Sequence, residues 1–402
     1  MAGFTVLNPY QQTLRADLGC DAICIGTMTS ASSALGLFGS PLVGALSDQM
    51  GRKVALALGA LASALGFSLV AVATSMPLLW LSVIPGSLLA HNFTIAKALV
   101  ADLAKPEDRA GVMGKLGLAA GVGFMVGPVI NPFISSLFQA CLFATGLQLL
   151  SLIAVYQLPS RSVTAAEPAL PVEAKAPVLA GVVKTVWKAI KEVFVLAVAA
   201  PPAARLILFL RFGMSMGFHV FYTVMQAIIK DKFKFQPTDY SNYFAFIGLT
   251  YAFSQLISRA VINRFGKNQT FLLIPCFLLL GGGRFVTATT DNIYIFYSGI
   301  VLTVGALGIV NTSISTTITR IASDSNVGGL MGVLDTSEKL AGIGGPAIGG
   351  ALYAYSTFAP VIVVCMGYLL LAVAVFVGYP RYVLPAIDHK ERESTETKAK
   401  TE

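Results

Sequence analysis

Long apolar runs alternate with short charged or glycine-bearing turns along almost the whole chain. Eleven runs can be bounded, at approximately 22–47, 54–76, 78–102, 110–134, 138–158, 202–229, 240–262, 269–289, 293–318, 328–353 and 358–380. A helix needs about 20 predominantly apolar residues to cross a hydrocarbon core, and every run is long enough. None alternates with a period of two, so the pattern predicts spanning helices and not barrel strands. Ahead of Asp21 only Ala2 to Tyr10 are mostly apolar, and nine residues cannot span. That stretch reads as the outer end of a first span whose inner half is missing, either because the chain starts late or because the protein works with a stub. It has no charged leader and no cleavage site, so it does not read as a signal peptide.

Composition excludes an ordinary soluble domain. Of 402 residues, 55% are hydrophobic and only 12% charged, too apolar a balance for a water-exposed surface. Alternating the runs across a bilayer puts nineteen of the 28 Lys and Arg residues on one side and four on the other. The richer side is cytosolic and includes both termini. The net charge of +8 therefore describes the inner membrane-facing surface and gives no reason to invoke nucleic acid. The five cysteines lie in or beside spans without metal-ligand spacing and read as small apolar residues. Glycosylation-type triplets at Asn92, Asn268 and Asn311 fall within spans or on the cytosolic side and are set aside. No Walker motif, catalytic triad or metal motif occurs, so neither an enzyme nor a cofactor is expected.

The chain repeats itself. An offset of 218 sets Ala110–Pro132 beside Gly328–Gly350 without a gap, and an offset of 215 sets the turn at Gly51 beside Arg259–Gly266. Two copies in the same orientation imply halves related by an axis along the membrane normal, with a transport site near mid-membrane. The expected organisation is a first bundle at 1–158, a cytosolic connector at 159–200, a second bundle at 201–380 and a charged, disordered tail at 381–402. In the connector, Val183, Trp187, Ile190 and Phe194 share a face beside a stripe of Lys184, Lys188 and Lys191, the pattern of an interfacial helix on anionic lipid or of an ordinary solvated one.

The turn between the second and third complete or partial spans reads Gly44-Ala-Leu-Ser-Asp48-Gln-Met-Gly51-Arg52-Lys53. It resembles the corresponding loop of major facilitator superfamily carriers. Further on, Gly114, Gly123, Gly127 and Pro128 form a Gly-x8-Gly-x3-Gly-Pro pattern, echoed by Gly345, Pro346, Gly349 and Gly350. This is similar to the antiporter signature of drug:proton exchangers, though the first copy ends in Asn131-Pro132 where the signature has Gly-Gly. Ile84–His91, Ala101–Arg109 and Gly114–Gly117 look closest to solute carrier family 22, at its organic-cation-transporter-like member, with tetracycline:proton antiporters more distant. The resemblance implies an all-α carrier of two six-helix repeats that exchanges an organic cation or drug-like solute for protons. It also implies a cytosolic latch of Asp48, Arg52 and Asp102, with Arg109 beside it. An arginine in the fourth span and an acid in the first, both usual in drug antiporters, have no counterpart here.

Charges inside the spans carry the rest. A charge at a span centre costs about 2.5–3.5 kcal/mol on insertion scales, yet Asp335, Glu338 and Lys339 occur within five residues. They share a helix face, Asp335 is spaced to pair with Lys339, and the trio reads either as an internal salt bridge or as a proton site in which the second acid titrates. Arg211, Ser215, Phe218 and Tyr222 form a stripe that either lines a substrate cavity or places Arg211 as counter-charge to Asp335 or Glu338 across the repeat. His91 is a candidate for proton transfer or a packing residue, Lys97 a candidate cavity residue, and Arg284 is expected to reach toward the outer interface. The reading is a monomeric multi-pass carrier, in the plasma membrane or an endomembrane, whose partners are a small organic solute, protons and lipid. A carrier-like protein serving as receptor or scaffold, and an uncoupled facilitator, are the alternatives.

Overall fold

The structure is a computed structural model that describes residues 2–103, 119, 122–127, 129–158, 183–188, 190–191, 194–195, 200–321 and 327–401. Regular structure among these residues is helical. In chain order the helices are α1 (Ala2–Asp17), α2 (Ala22–Met50), α3 (Arg52–Ala71), α4 (Met76–Leu89), α5 (Asn92–Leu103), α6 (Leu137–Gln157), α7 (Pro202–Ile228) and α8 (Pro237–Phe265). They continue with α9 (Thr270–Thr289), α10 (Ile293–Ile321), α11 (Val327–Tyr355), α12 (Ala359–Gly378) and α13 (Leu384–Thr401). Among the described residues, nine helices are long and apolar enough to cross a membrane. Of the other expected runs, 110–134 is described only in part, and 328–353 is the 29-residue α11, whose charged trio and many glycines dilute its apolarity.

The chain forms two compact units. One comprises Met1–Asp21, Ala31–Lys188 and Phe235–Gly248, the other Ala22–Ser30, Ala189–Lys234 and Leu249–Glu402. In the first, α3 packs on α4, α5 and α6, and α1 packs on α6. Val6, Leu7 and Tyr10 of α1 are buried with Val70, Ala140, Cys141 and Ala144, and the Tyr10 hydroxyl donates to the Ile134 carbonyl at 2.6 Å. Small residues make this possible, because helices in lipid associate through close packing instead of apolar burial. At Gly127 a Cβ would lie 2.6 Å from the Thr5 hydroxyl oxygen.

In the second unit α7 packs on α11, α12 and α10, and α9 packs on α10 and α12. Glycines of the second signature copy permit the α7–α11 approach. A Cβ on Gly349 would meet the Val220 carbonyl oxygen at 2.6 Å, and one on Gly345 would meet the His219 Cβ at the same distance. Outward faces remain apolar, with Phe271, Phe376 and Val373 all more than half exposed, as a lipid-facing surface requires.

The turns of the two repeats share a backbone device. Gly51 has φ 89° and Gly266 has φ 59°, the left-handed region that only glycine enters without strain. Each is followed by a lysine that secures a helix end. The Lys53 ammonium donates to the carbonyls of Tyr156 and Leu158, at 2.6 and 3.2 Å, where α6 runs out of internal partners. Lys267 pairs with Asp388 at 3.1 Å and with Glu391, both on α13. Hydrogen bonds to Glu391 and then Asp388 raise the Lys267 pKa above its ordinary 10.5. The contribution is thus complete below that value and fades as pH climbs through the raised one.

Three expectations are revised. The tail is not disordered: α13 is helical and buries Ile387 in its first turn, just after the buried Val383. The single run 78–102 divides into α4 and α5, with Ala90 and His91 between them. Cys20 and Cys24 are disulfide-bonded and so are more than apolar filler, whereas Cys141 and Cys276 are free and buried.

Gly349→Leu is expected to cost about 1–3 kcal/mol through overpacking, read as a lower Tm of the purified protein. Gly282→Leu, with nothing within 4 Å of its would-be Cβ, is expected to change stability by less than about 0.5 kcal/mol. Exposed ion pairs are weak, so Lys267→Ala should speed amide exchange in Leu384–Thr401 by no more than about fivefold, an effect that 1 M salt would reproduce in the native chain.

Candidate functional site

Arg211 is the centre of the polar interior of the second unit. It is 8% exposed, in a helix that presents it to α10 and α11 together. Its Nη1 donates to Asn311 Oδ1 on α10, and its Nη2 is ion-paired with Glu338 Oε2 on α11. The Asn311 amide in turn donates to the Tyr251 hydroxyl on α8 at 3.3 Å. The Arg211 side chain is 10% exposed and that of Glu338 46%, so the acid is the accessible end of the pair. Arg211 Nε is buried with no partner among the described residues. Removing Glu338 from Arg211 would leave a buried charge uncompensated, the costliest way to break such a pair.

The contact fits the counter-charge reading of Arg211, with one change. The pair forms within the second half and not across the repeat. The expected Asp335–Lys339 pair is not formed. Asp335 is exposed, and the half-buried Lys339 ammonium has no hydrogen bond or ion pair among the described residues, sensing Asp335 and Glu338 through their charge alone. Along α7, Ser215 is 4% exposed, and the rings of Phe218 and Tyr222 stack at 5.9 Å with 20° between planes. Next to Asn311, Thr312 on α10 donates to Gln255 on α8 at 3.0 Å, one turn from Tyr251.

Arg284 departs from expectation. It does not reach outward but is 4% exposed, its Nη1 donating to the Gly217 carbonyl at 2.8 Å and to the Tyr368 hydroxyl. The guanidinium carbon lies 4.8, 5.1 and 5.9 Å from the ring centres of Tyr368, Phe221 and Phe218. Aromatic faces and neutral oxygens hold this cation, and no carboxylate is paired with it among the described residues. Tyr368 itself donates to the Met214 carbonyl at 3.2 Å, so Arg284 ties one turn of α7 to α9 and α12.

In the first unit, His91 occupies the break between α4 and α5. Its backbone N–H turns to the Leu89 carbonyl at 2.9 Å, which frees the Ser87 carbonyl, and the His91 Nε2 meets that oxygen at 3.1 Å. A carbonyl only accepts, so Nε2 carries the hydrogen there. Ser32 and Ser87 hydroxyls lie 2.7 Å apart. Of the latch, Arg52 donates to the Ser47 hydroxyl at 2.8 Å, Lys53 secures α6, and Gly44 has open space around its would-be Cβ. The side chains of Asp48, Lys97 and Asp102, and all of Arg109, Gly114 and Pro128, lie outside the described residues. Gly123 and Gly127 lie in the described part of the first signature copy, and Gly345, Pro346, Gly349 and Gly350 lie within α11. A Cβ on Gly350 would stand 2.5 Å from the Ala22 carbonyl oxygen.

Sequence reasoning missed Asn311, Tyr251 and the true surroundings of Arg284. Asn311 was visible only as a glycosylation triplet in the wrong place. An amide inside an apolar run was itself the signal, since buried polar groups persist only with partners.

Residues 1–223 and 207–401 match the family model of the Major Facilitator Superfamily. The chain belongs to that superfamily. Human solute carrier family 67 member A1 is 26% identical over 354 residues, 86% of this chain and 80% of the relative. Mouse solute carrier family 22 member 18 is 26% identical over 361 residues, covering 87% and 84%. The crystal structure of the human organic anion transporter MFSD10 aligns with a TM-score of 0.65 at 20% identity, covering 93% of this chain and 95% of that one, a likeness that shows the fold. The major facilitator fold makes this an all-α, multi-pass membrane protein of two repeats and a secondary transporter, not an enzyme.

Asn311→Ala is expected to destabilise the protein by about 1–3 kcal/mol, the cost of leaving a buried donor on Arg211 unmet, measured as the loss of Tm. Asn311→Asp supplies a second acid to the same guanidinium and should restore most of that loss.

Proposed function

We propose that this major facilitator protein moves a small organic solute by alternating access, coupled to protons through Glu338. The observation that carries the reading is the Arg211–Glu338 pair, a buried fixed cation holding a half-exposed acid. Protonating Glu338 would remove the charge that holds Arg211, so a proton on the acid and the ion pair exclude one another. An intramembrane acid with an identified counter-ion is the usual mark of an ion pathway.

The resemblance implies an organic cation or drug-like solute and antiport. Both follow if a solute cation and a proton compete for Glu338. A specific observation favours a second reading of the solute's charge: within its span interiors the described part of the second unit sets Arg211, Arg284 and Lys339 against Asp335 and Glu338. His91 remains a proposed packing residue whose ring replaces a missing backbone donor, and Asp48 and Arg52 of the Gly44–Lys53 turn, with Asp102 and Arg109 beside it, remain a proposed cytosolic latch.

The test uses the full chain in liposomes with a trapped pH-sensitive dye, and tetraethylammonium and p-aminohippurate as solutes of opposite charge. Solute-driven proton movement is expected in the native chain and an at least tenfold smaller rate in Glu338→Gln, with Glu338→Asp keeping part of it. Solute equilibration without proton movement would make the protein an uncoupled facilitator. No movement of either solute or of protons would favour the receptor or scaffold.

A further inference from the structure

We propose that Asn131 is a positioning residue for the transport cycle: its amide, bonded to Ser241, fastens the start of α8 to the first unit and sets how readily the protein opens at the helix ends remote from the Gly51 and Gly266 turns. The inference rests on the alternating-access reading above and is independent of the solute and of Glu338.

Two helices are divided between the units. Ala22–Ser30 of α2 belongs to the second unit and the rest of α2 to the first, whereas the start of α8, through Gly248, belongs to the first and the rest to the second. The divisions after Ser30 and after Gly248 are 218 residues apart, the offset of the repeat. The contacts follow the same offset. In the second unit the start of α2 lies on the glycines of α11, where a Cβ on Gly350 would stand 2.5 Å from the Ala22 carbonyl oxygen and 3.2 Å from the Ile23 Cα. The Ser30 hydroxyl accepts from the Ala347 N–H at 3.1 Å. In the first unit Asn131 and Ser241, which match Gly349 and Ile23 at that offset, are joined through their side chains: the Asn131 amide donates to the Ser241 hydroxyl. Glycine, the signature residue at this position, could not make that bond.

The joint has a fixed side and a divided side. Asn131 opens a short 3-10 turn, Asn131–Phe133, whose far end is held by Tyr10 of α1 through the Ile134 carbonyl at 2.6 Å. On α8, Tyr240, Ser241 and Tyr243 are all buried, and the Phe235 ring meets those of Tyr240 and Tyr243 at 5.6 and 6.4 Å. Asn131 is 1% exposed, and its Oδ1 is buried with no partner among the described residues. Its donor side therefore carries the polar contact while its acceptor goes unmet, a balance that holds α8 in register without binding it tightly. A joint that opens and closes in every cycle needs that balance. Alternating access also makes the two ends reciprocal, since a population that opens at one end is closed at the other.

The test is amide hydrogen exchange of the full chain in lipid nanodiscs. Ser241→Ala strands the Asn131 amide only while the joint is closed, because water meets it once the joint opens. Exchange across Tyr240–Gly248 should therefore rise about tenfold, and the turns at Gly44–Gly51 and Arg259–Gly266 should exchange more slowly. Adding Asn131→Leu removes the stranded group and should return Tyr240–Gly248 to within about threefold of the native chain. Unchanged exchange in Ser241→Ala would overturn the fastening. Faster exchange at Tyr240–Gly248 without protection of the two turns would make the pair a local packing contact and overturn its role in opening. A double variant as fast as Ser241→Ala would show that Ser241 acts through other neighbours and would overturn the part given to Asn131. The expected exchange pattern in a chain that moves neither tetraethylammonium, p-aminohippurate nor protons would uphold the fastening and overturn the carrier reading alone.

Discussion

A guanidinium buried in an apolar helix bundle must be met by charge or by enough oxygen and ring surface, and the second unit is organised around two solutions to that demand. Arg211 is met by an acid and an amide on two neighbouring helices. Arg284 is met by a carbonyl, a hydroxyl and three aromatic faces. Coulomb interaction is several times stronger here than in water, so the first solution can be changed by a single proton. The second contains no group that titrates near neutrality and so is fixed. On the proposed reading the first responds and the second holds the helix that carries it.

The frame that makes this possible is built from absence of side chains. Gly345 and Gly349 let α11 approach the backbone of α7, and at that separation Glu338 reaches Arg211. On the other side of α7, a Cβ on Gly217 would fall 2.9 Å from the Tyr368 ring, so Tyr368 and Arg284 can close against the same helix. The small residues thus position the chemistry as well as the packing. In lipid there is no apolar driving force to pull helices together, and such close contacts replace it.

Much of the fold was legible because a bilayer leaves the chain few choices. Runs of sufficient length had to be helices, and the Gly51 and Gly266 turns were visible as repeats before their shared positive φ was known. The charged trio was legible as a site for the same reason: charges at that depth need an explanation. Partner choice was not legible. The i, i+4 rule favoured Asp335 with Lys339, but tertiary contact with Arg211 is stronger than a local pair on an exposed face, and it took Glu338. Arg284 lay beside three glycines near a span end, where snorkelling is the usual outcome, and only the α7 and α12 surfaces reveal that it is enclosed. The α4–α5 break was hidden for a different reason. Ala90 and His91 are ordinary helix residues in sequence, and the ring that replaces the lost backbone donor is a tertiary feature.

The two repeats diverged in a way that physical chemistry can order. Turns and glycine contacts are shared, whereas the positions matching Asp335, Glu338 and Lys339 in the first copy are Gly117, Ala120 and Gly121. Packing constraints act on both copies alike, because each must bring helices together in lipid. Charge acts on only one. A second charged trio would add to the cost of insertion, and on the proposed reading one acid already couples one proton. Duplication of the frame with a single copy of the charges is therefore the cheaper arrangement, and it places the responsive element in the half whose α7 already carries the arginine that the acid needs.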